Sequence, residues 1–313
     1  MKILLAVDDS RYSEAVVGLV KALRIERETE ATVLTVIPEH VFLGGRTLAD
    51  LLRRSSTLKT QLRKAEEERA LELLAKLSNS LATRGLKVET IVRRGSPADE
   101  IIKTCQSIGA DLVLVGFKGT SDVSEFLLGS VTHKVIKYAP CSVLVAKREH
   151  KAINRVLVPI DGSKHSGGVV QFLLQMPLSH HTEVLLMTVV QSFAAAFVKA
   201  YTLDLERDRQ IIAELQKSEE EAAQRLITEA ERQFRRGGYR ALVIVARGDP
   251  SQEILREAAR RNVDLIALGA KGLSGVRGFL LGSVSQRIAR YAQPSVLIVR
   301  SPKVWTNKEL QKQ

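Results

Sequence analysis

Gly116, Gly119, Gly129 and Ser130 recur as Gly269, Gly272, Gly282 and Ser283, and each pair stands 153 positions apart. The same offset links Asp8 to Asp161, Gly95 to Gly248, Pro97 to Pro250 and Tyr138 to Tyr291. A constant spacing over so much of a 313-residue chain marks a duplication without net insertion. Only a fold made of two copies of one unit satisfies it, and about 150 residues per copy suffices for a sizeable core.

Each copy alternates strand and helix signals. Lys2 to Val7 is aliphatic almost throughout, the pattern of a strand buried on both faces of a parallel sheet. The N-terminal apolar run stops at Asp8 and lacks a small-residue cleavage site, so it reads as this first strand and not as a signal peptide. Asp9 or Ser10 then caps a helix whose apolar positions Ala15, Val16, Leu19, Val20 and Leu23 recur at helical spacing. A second strand covers Ala31 to Ile37. Residues 38–57, with Gly44-Gly45, fit either a flap or the start of the next helix.

From Leu58 onward, Leu62, Ala65, Leu73, Leu74, Leu77 and Leu81 form an apolar stripe, with Glu72 and Lys76 as an exposed pair. That predicts a long helix ending near Gly85. Leu86 to Val92 is a third strand, Gly95-Ser96-Pro97 a turn and helix start, Asp111 to Val115 a fourth strand, and Cys141 to Ala146 a fifth. The second copy repeats the pattern, with its long helix over about Arg207 to Arg235. Strands alternating with helices imply right-handed crossovers and a doubly wound parallel sheet, whose ligands sit beyond the carboxyl ends of the strands.

The glycine stretches 116–132 and 269–285 lie between a strand and a helix. Glycines let a backbone approach an anion closely, successive N–H groups form a nest, and the helix start adds its positive dipole end. Ser130 and Ser283 add a hydroxyl there. Neither loop is a Walker A sequence, since no Gly-Lys-Ser/Thr closes it. Neither is the dinucleotide fingerprint, since the first two glycines are three apart. A glycine turn can be purely structural, but two copies at preserved spacing favour phosphate binding. Asp8 and Asp161 either cap their helices or face the ligand; Ser96 and Asp249 read as caps.

The net charge of +12 divides unevenly: residues 1–150 carry 23 basic against 19 acidic side chains, and residues 151–313 carry 24 against 16. The bases are interleaved with acids and only 4% of residues are aromatic, so a solvated cationic surface outweighs a nucleic-acid platform. No apolar run reaches the length of a membrane span. Cys105 and Cys141 lack CxxC spacing and read as small core residues, which suits a reducing cytoplasm. The adjacent His180 and His181 fall in a predicted turn and lack helical metal-site spacing, so no metal is assigned.

Both copies resemble the universal stress protein family, whose ATP-binding members carry Gly-x2-Gly-x9-Gly-Ser/Thr after the fourth strand and an Asp after the first. The resemblance spans about residues 1–147 and 153–301. It implies two tandem doubly wound α/β domains of Rossmann-like character, each with a five-stranded parallel sheet. The domains would cover residues 1–147 and 155–302, joined by a linker at 148–154 and followed by a polar tail at 303–313. It also implies ATP, with any Mg2+ held through its phosphates. Asp8 or Asp161 would lie near adenine and ribose, and Val36 or Val189 would line the adenine slot. Gly116, Gly119, Gly129, Ser130 and Val131, or Gly269, Gly272, Gly282, Ser283 and Val284, would hold phosphates. Family members often pair through their last strands, so the halves are expected to form an intramolecular pseudo-dimer, either as a monomer or as a homodimer of tandem chains.

The copies differ in the loop. Asp122, Ser124 and Glu125 correspond to Gly275, Arg277 and Gly278, while Lys118 corresponds to Lys271. Two carboxylates repel a polyphosphate and Arg277 attracts it, so the second copy is expected to bind ATP more tightly. Three classes of function remain: an ATP-binding regulatory module of a stress response, a slow ATPase, and a nucleotide-free dimerisation scaffold. No general base or dedicated metal-binding carboxylate pair accompanies either loop, which favours binding over catalysis.

Overall fold

A computed structural model of the protein describes residues 1–23, 29–39, 56–82, 86–119, 128–176, 178–190, 209–272 and 281–300. The chain forms two compact units, Met1–Lys151 and Ala152–Gln313.

The first unit runs β1 (Lys2–Val7), α1 (Arg11–Ala22), β2 (Glu30–Pro38), α2 (Ser56–Ala82), β3 (Lys87–Gly95), α3 (Pro97–Ile108), β4 (Leu112–Gly116), α4 (Ser130–Tyr138) and β5 (Ser142–Ala146). Its strands are ordered β3-β2-β1-β4-β5 and pair in parallel throughout. The β1 and β4 strands supply the centre of the core: Ile3, Leu4, Leu5, Val113 and Leu114 are wholly buried. Continuous apolar runs survive here because helices cover both faces of a parallel sheet.

Helix α2 buries Ala70, Leu74, Leu77 and Leu81, whereas Ala65 of the predicted stripe is exposed. Lys76 reaches Glu14 of α1 at 3.1 Å, so it serves a helix–helix contact. Its predicted neighbour Glu72 is not the partner that the geometry gives it. Gly109 ends α3 in the left-handed region at φ 64°, the conformation that a glycine C-cap supplies without strain. Gly44-Gly45, Gly85, Asp122, Ser124, Glu125, Gly275, Arg277, Gly278 and the 303–313 tail lie outside the described residues.

The second unit repeats the order: β6 (Arg155–Pro159), α5 (Lys164–Gln175), β7 (Glu183–Val190), α6 (Arg209–Arg236), β8 (Arg240–Arg247), α7 (Pro250–Arg260), β9 (Leu265–Gly269), α8 (Ser283–Tyr291) and β10 (Ser295–Val299). Its strands are ordered β10-β9-β6-β7-β8, again all parallel. Asp249 caps α7 by accepting the Gln252 N–H at 3.0 Å. At the matching position of the first unit, Ser96 makes no cap bond; its hydroxyl turns to Asp99. Among the described residues no helix is long and apolar enough to cross a membrane.

In each unit the strand order reverses beside the first strand, between β1 and β4 or between β6 and β9. A crevice opens at such a switch point beyond the carboxyl ends of the strands. The chain delivers Asp8 and Gly116 to one crevice and Asp161 and Gly269 to the other.

Candidate functional site

Asp8 leaves β1 and its Oδ1 is held by the next turn. The Ser10 amide donates to it at 3.1 Å, and the hydroxyls of Ser10 and Ser13 donate at 2.5 and 3.1 Å. The Asp8 N–H in turn donates to Ser13 Oγ at 2.8 Å. Ser10 occupies the N-cap position of α1, yet its hydroxyl is committed to Asp8 and makes no cap bond. The second unit solves the same turn differently: the Ser163 amide donates to Asp161 Oδ1 at 3.0 Å, while the Ser163 hydroxyl caps α5 by accepting the Ser166 N–H. In both units these turn bonds fall on Oδ1, leaving Oδ2 to face elsewhere.

The second oxygens aim at the glycine loops. A Cβ on Gly119 would stand 2.9 Å from Asp8 Oδ2, and one on Gly272 would stand 2.7 Å from Asp161 Oδ2. Sequence-distant groups thus converge at one point in each unit, across the switch point. The first glycines do different work. A Cβ on Gly116 would lie 2.6 Å from Tyr12 Cβ, and one on Gly269 would meet His165 Cβ at 2.8 Å and its backbone at 3.0 Å. These glycines let the last residue of the fourth strand pack on the first turn of the helix after the first strand.

The third glycines close the loops. Gly129 N–H donates to the Phe117 carbonyl at 3.0 Å, and Gly282 N–H to the Ala270 carbonyl at 2.7 Å. Both are N-caps without a side chain, so neither α4 nor α8 receives a side-chain cap bond at its start. Ser130 and Val131, or Ser283 and Val284, open these helices, where outward N–H groups and the dipole suit an anion. Val36 and Val189 sit near the carboxyl ends of β2 and β7, paired with Arg93 and Ala246.

Two hydroxyls that escaped the sequence reading hold the assembly. Thr132 Oγ1 donates to the Gly116 carbonyl at 2.6 Å, and Ser285 Oγ donates to the Gly269 carbonyl at 2.7 Å. Each ties the helix after the glycine loop to the end of the fourth strand. Their 153 offset was the available signal.

The units differ beside the loop. Phe117 packs edge-on against Tyr12, with ring centroids 6.2 Å apart, and carries Lys147 Nζ over its face at 4.3 Å. Lys118 is buried, its Nζ 5.9 Å from the same ring. In the second unit Ala270 replaces Phe117, and Lys271 is partly exposed. Burial pushes the Lys147 ammonium down to about 7. Elsewhere, Cys105 and Cys141 are buried and form no disulfide. Their mutual hydrogen bond, and then burial, push the Cys105 thiol far up, the behaviour of core residues that happen to touch.

Comparison with known proteins gives one consistent result. A family model described as "Universal stress protein family" matches residues 1–147 and again 152–300. A universal stress protein of Bacillus subtilis is 30% identical over 146 residues, covering 47% of this chain and 98% of that protein. A longer one from Mycolicibacterium smegmatis is 27% identical over 311 residues, covering 95% of this chain and 96% of its own. The crystal structure of a universal stress protein from Archaeoglobus fulgidus covers 96% of this chain and 98% of its own at a TM-score of 0.62 and 22% identity, a likeness of fold.

Proposed function

Because the chain belongs to the universal stress protein family, with two copies of its domain, we propose that it binds ATP or a related adenine nucleotide and serves as a stress-response regulatory module. The observation that carries this reading is the approach of Asp161 Oδ2 to Gly272, at 2.7 Å from a would-be Cβ. An ionised carboxylate only accepts hydrogen bonds and repels phosphate, so it fixes the direction of the ligand. Donor groups of adenine and ribose lie over Asp161 and Val189, and the phosphates extend along Gly269 and Gly272 to Gly282, Ser283 and Val284 at the start of α8. Asp8, Val36, Gly116, Gly119, Gly129, Ser130 and Val131 form the equivalent set. A magnesium ion arrives on the phosphates. The setting is a reducing cytoplasm, in keeping with two buried cysteines that form no disulfide.

The second unit is the tighter site. Lys118 is buried with its Nζ 5.9 Å from the Phe117 ring, whereas Lys271, beside Ala270, is partly exposed and so the more accessible of the two to a phosphate. The loop compositions, Asp122 and Glu125 against Gly275, Arg277 and Gly278, act in the same direction. Mass spectrometry of small molecules released from freshly purified protein tests the reading. Stoichiometric adenine nucleotide is expected. An empty protein whose melting temperature is unmoved by millimolar ATP would instead identify a nucleotide-free scaffold.

A further inference from the structure

Cys105 lies on α3 and Cys141 stands immediately before β5, and their buried side chains share a hydrogen bond. Two backbone bonds at the start of β4 set this meeting: the Cys105 carbonyl accepts the Ala110 N–H at 3.0 Å, and the Asp111 carbonyl accepts the Ser142 N–H at 3.2 Å. A raised thiol is what any buried pair shows; two further observations set this pair apart. These are the only cysteines in 313 residues. A buried side chain touches about 6–12 others, so two positions drawn at random meet on the order of a few times in a hundred. Nor does the fold require sulfur at either place, because the second unit builds the same elements with Ala258 and Pro294 at the 153 offset. Packing alone therefore does not select the pair.

We propose that Cys105 and Cys141 are a redox site, converted by a peroxide into a disulfide that ties α3 to the start of β5 in the first unit alone. Cys141, at 7% exposure against 1% for Cys105, takes up the oxygen. The peroxide O–O bond breaks, the S–O bond of a sulfenic acid forms, and the thiol proton leaves in water. The Cys105 sulfur then attacks that sulfur: the S–S bond forms, the S–O bond breaks, and the departing hydroxide takes the Cys105 proton as a second water. Two thiols give up two electrons, and one peroxide becomes two waters. Because the side chains are already in contact, the second step needs only a short closing movement. Burial keeps the first step slow and admits only a small oxidant. A small dithiol reverses the bond by exchange and is itself oxidised to a disulfide. The ring so closed spans residues 105–141 and holds β4, Gly116, Gly119, Gly129 and α4. Closing a long loop restricts the unfolded chain, so the oxidised protein melts at a higher temperature. The inference does not depend on which ligand the glycine loop binds.

Hydrogen peroxide is the probe, applied at about 1 mM to the folded full-length protein, which is then acid-quenched and digested without reductant. Mass spectrometry is expected to find a Cys105–Cys141 cross-linked peptide, about 2 Da lighter than the two reduced peptides together. The melting temperature should rise by several degrees and return after dithiothreitol. Cys105→Ala, which copies Ala258 of the second unit, should lose both the cross-link and the rise, and Cys141→Ser should do the same. The wild-type peptide map decides the matter even if a variant folds poorly. Sulfinic acid at either cysteine in place of the cross-link, disulfides between chains, or thiols still fully alkylated after overnight exposure would overturn the proposal. So would a cross-link that forms only in urea, or an oxidised protein that melts no higher than the reduced one.

Discussion

Asp161 Oδ2 stands 2.7 Å from the position that a Cβ on Gly272 would take, and Asp8 holds the same relation to Gly119 at 2.9 Å. A methyl at 272 would turn this carboxylate about its Ser163-tied oxygen, a side-chain adjustment and not a backbone one. On the proposed reading, the bare glycine keeps that carboxylate aimed at the nucleotide.

Gly269 is bare for a packing reason, and the two roles separate by substitution. Gly269→Ala drives a methyl into the His165 backbone and is expected to cost about 1–3 kcal/mol, the usual range for overpacking. Gly272→Ala should leave the urea midpoint nearly unchanged and lower ATP affinity in the second unit several-fold. Urea unfolding and calorimetry on both variants check this; equal loss of stability in the two would refute the division.

The hydroxyl of Ser285 anchors α8 to the Gly269 carbonyl at 2.7 Å. Ser285→Ala removes one buried hydrogen bond and should cost about 1 kcal/mol. If the anchor also aims the helix start at the ligand, ATP affinity falls in parallel. Ser285→Thr keeps the hydroxyl and should restore most of the affinity, provided the added methyl is accommodated.

Lys147 makes stability depend on pH. Burial lowers it from 10.5 to about 7, with the face of Phe117 offsetting part of the desolvation. Between those values the unfolded chain holds the proton and the folded chain does not, so stability rises with pH. Below pH 7 both states are protonated and the full cost of burying the charge remains. The slope from this group approaches about 1.4 kcal/mol per pH unit inside the window. Lys147→Met removes it. Urea midpoints at pH 7, 8 and 9 should show the variant's advantage shrinking as pH rises; a constant difference would contradict the assignment.

The strands were legible because a parallel sheet covered on both faces demands continuous apolar runs, and Lys2 to Val7 or Leu112 to Val115 have no other reading. The placement of Asp8 and the glycines followed from the 153 offset and the switch-point rule. What escaped was set by partners distant in sequence. Periodicity marked the inner face of α2 but not how far the covering surface reaches, so Ala65 was assigned to the core and is exposed. Lys76 was matched to Glu72 on its own helix, while Glu14 of α1 holds it. Ser10 and Ser96 stand at cap positions, yet nearby carboxylates claim their hydroxyls. Burial of Lys118 on Phe117 depends on a ring from the same loop folding inward, which spacing does not encode.

The central claim is that the second unit is the tighter of two adenine-nucleotide sites. Calorimetric titration of ATP into Gly129→Val and Gly282→Val proteins tests it directly, since a branched side chain there blocks the start of α4 or α8 and both glycines have ordinary negative φ. Gly282→Val is predicted to abolish the tighter binding event, at least tenfold in affinity, while Gly129→Val leaves it in place. A larger loss from Gly129→Val would contradict the account.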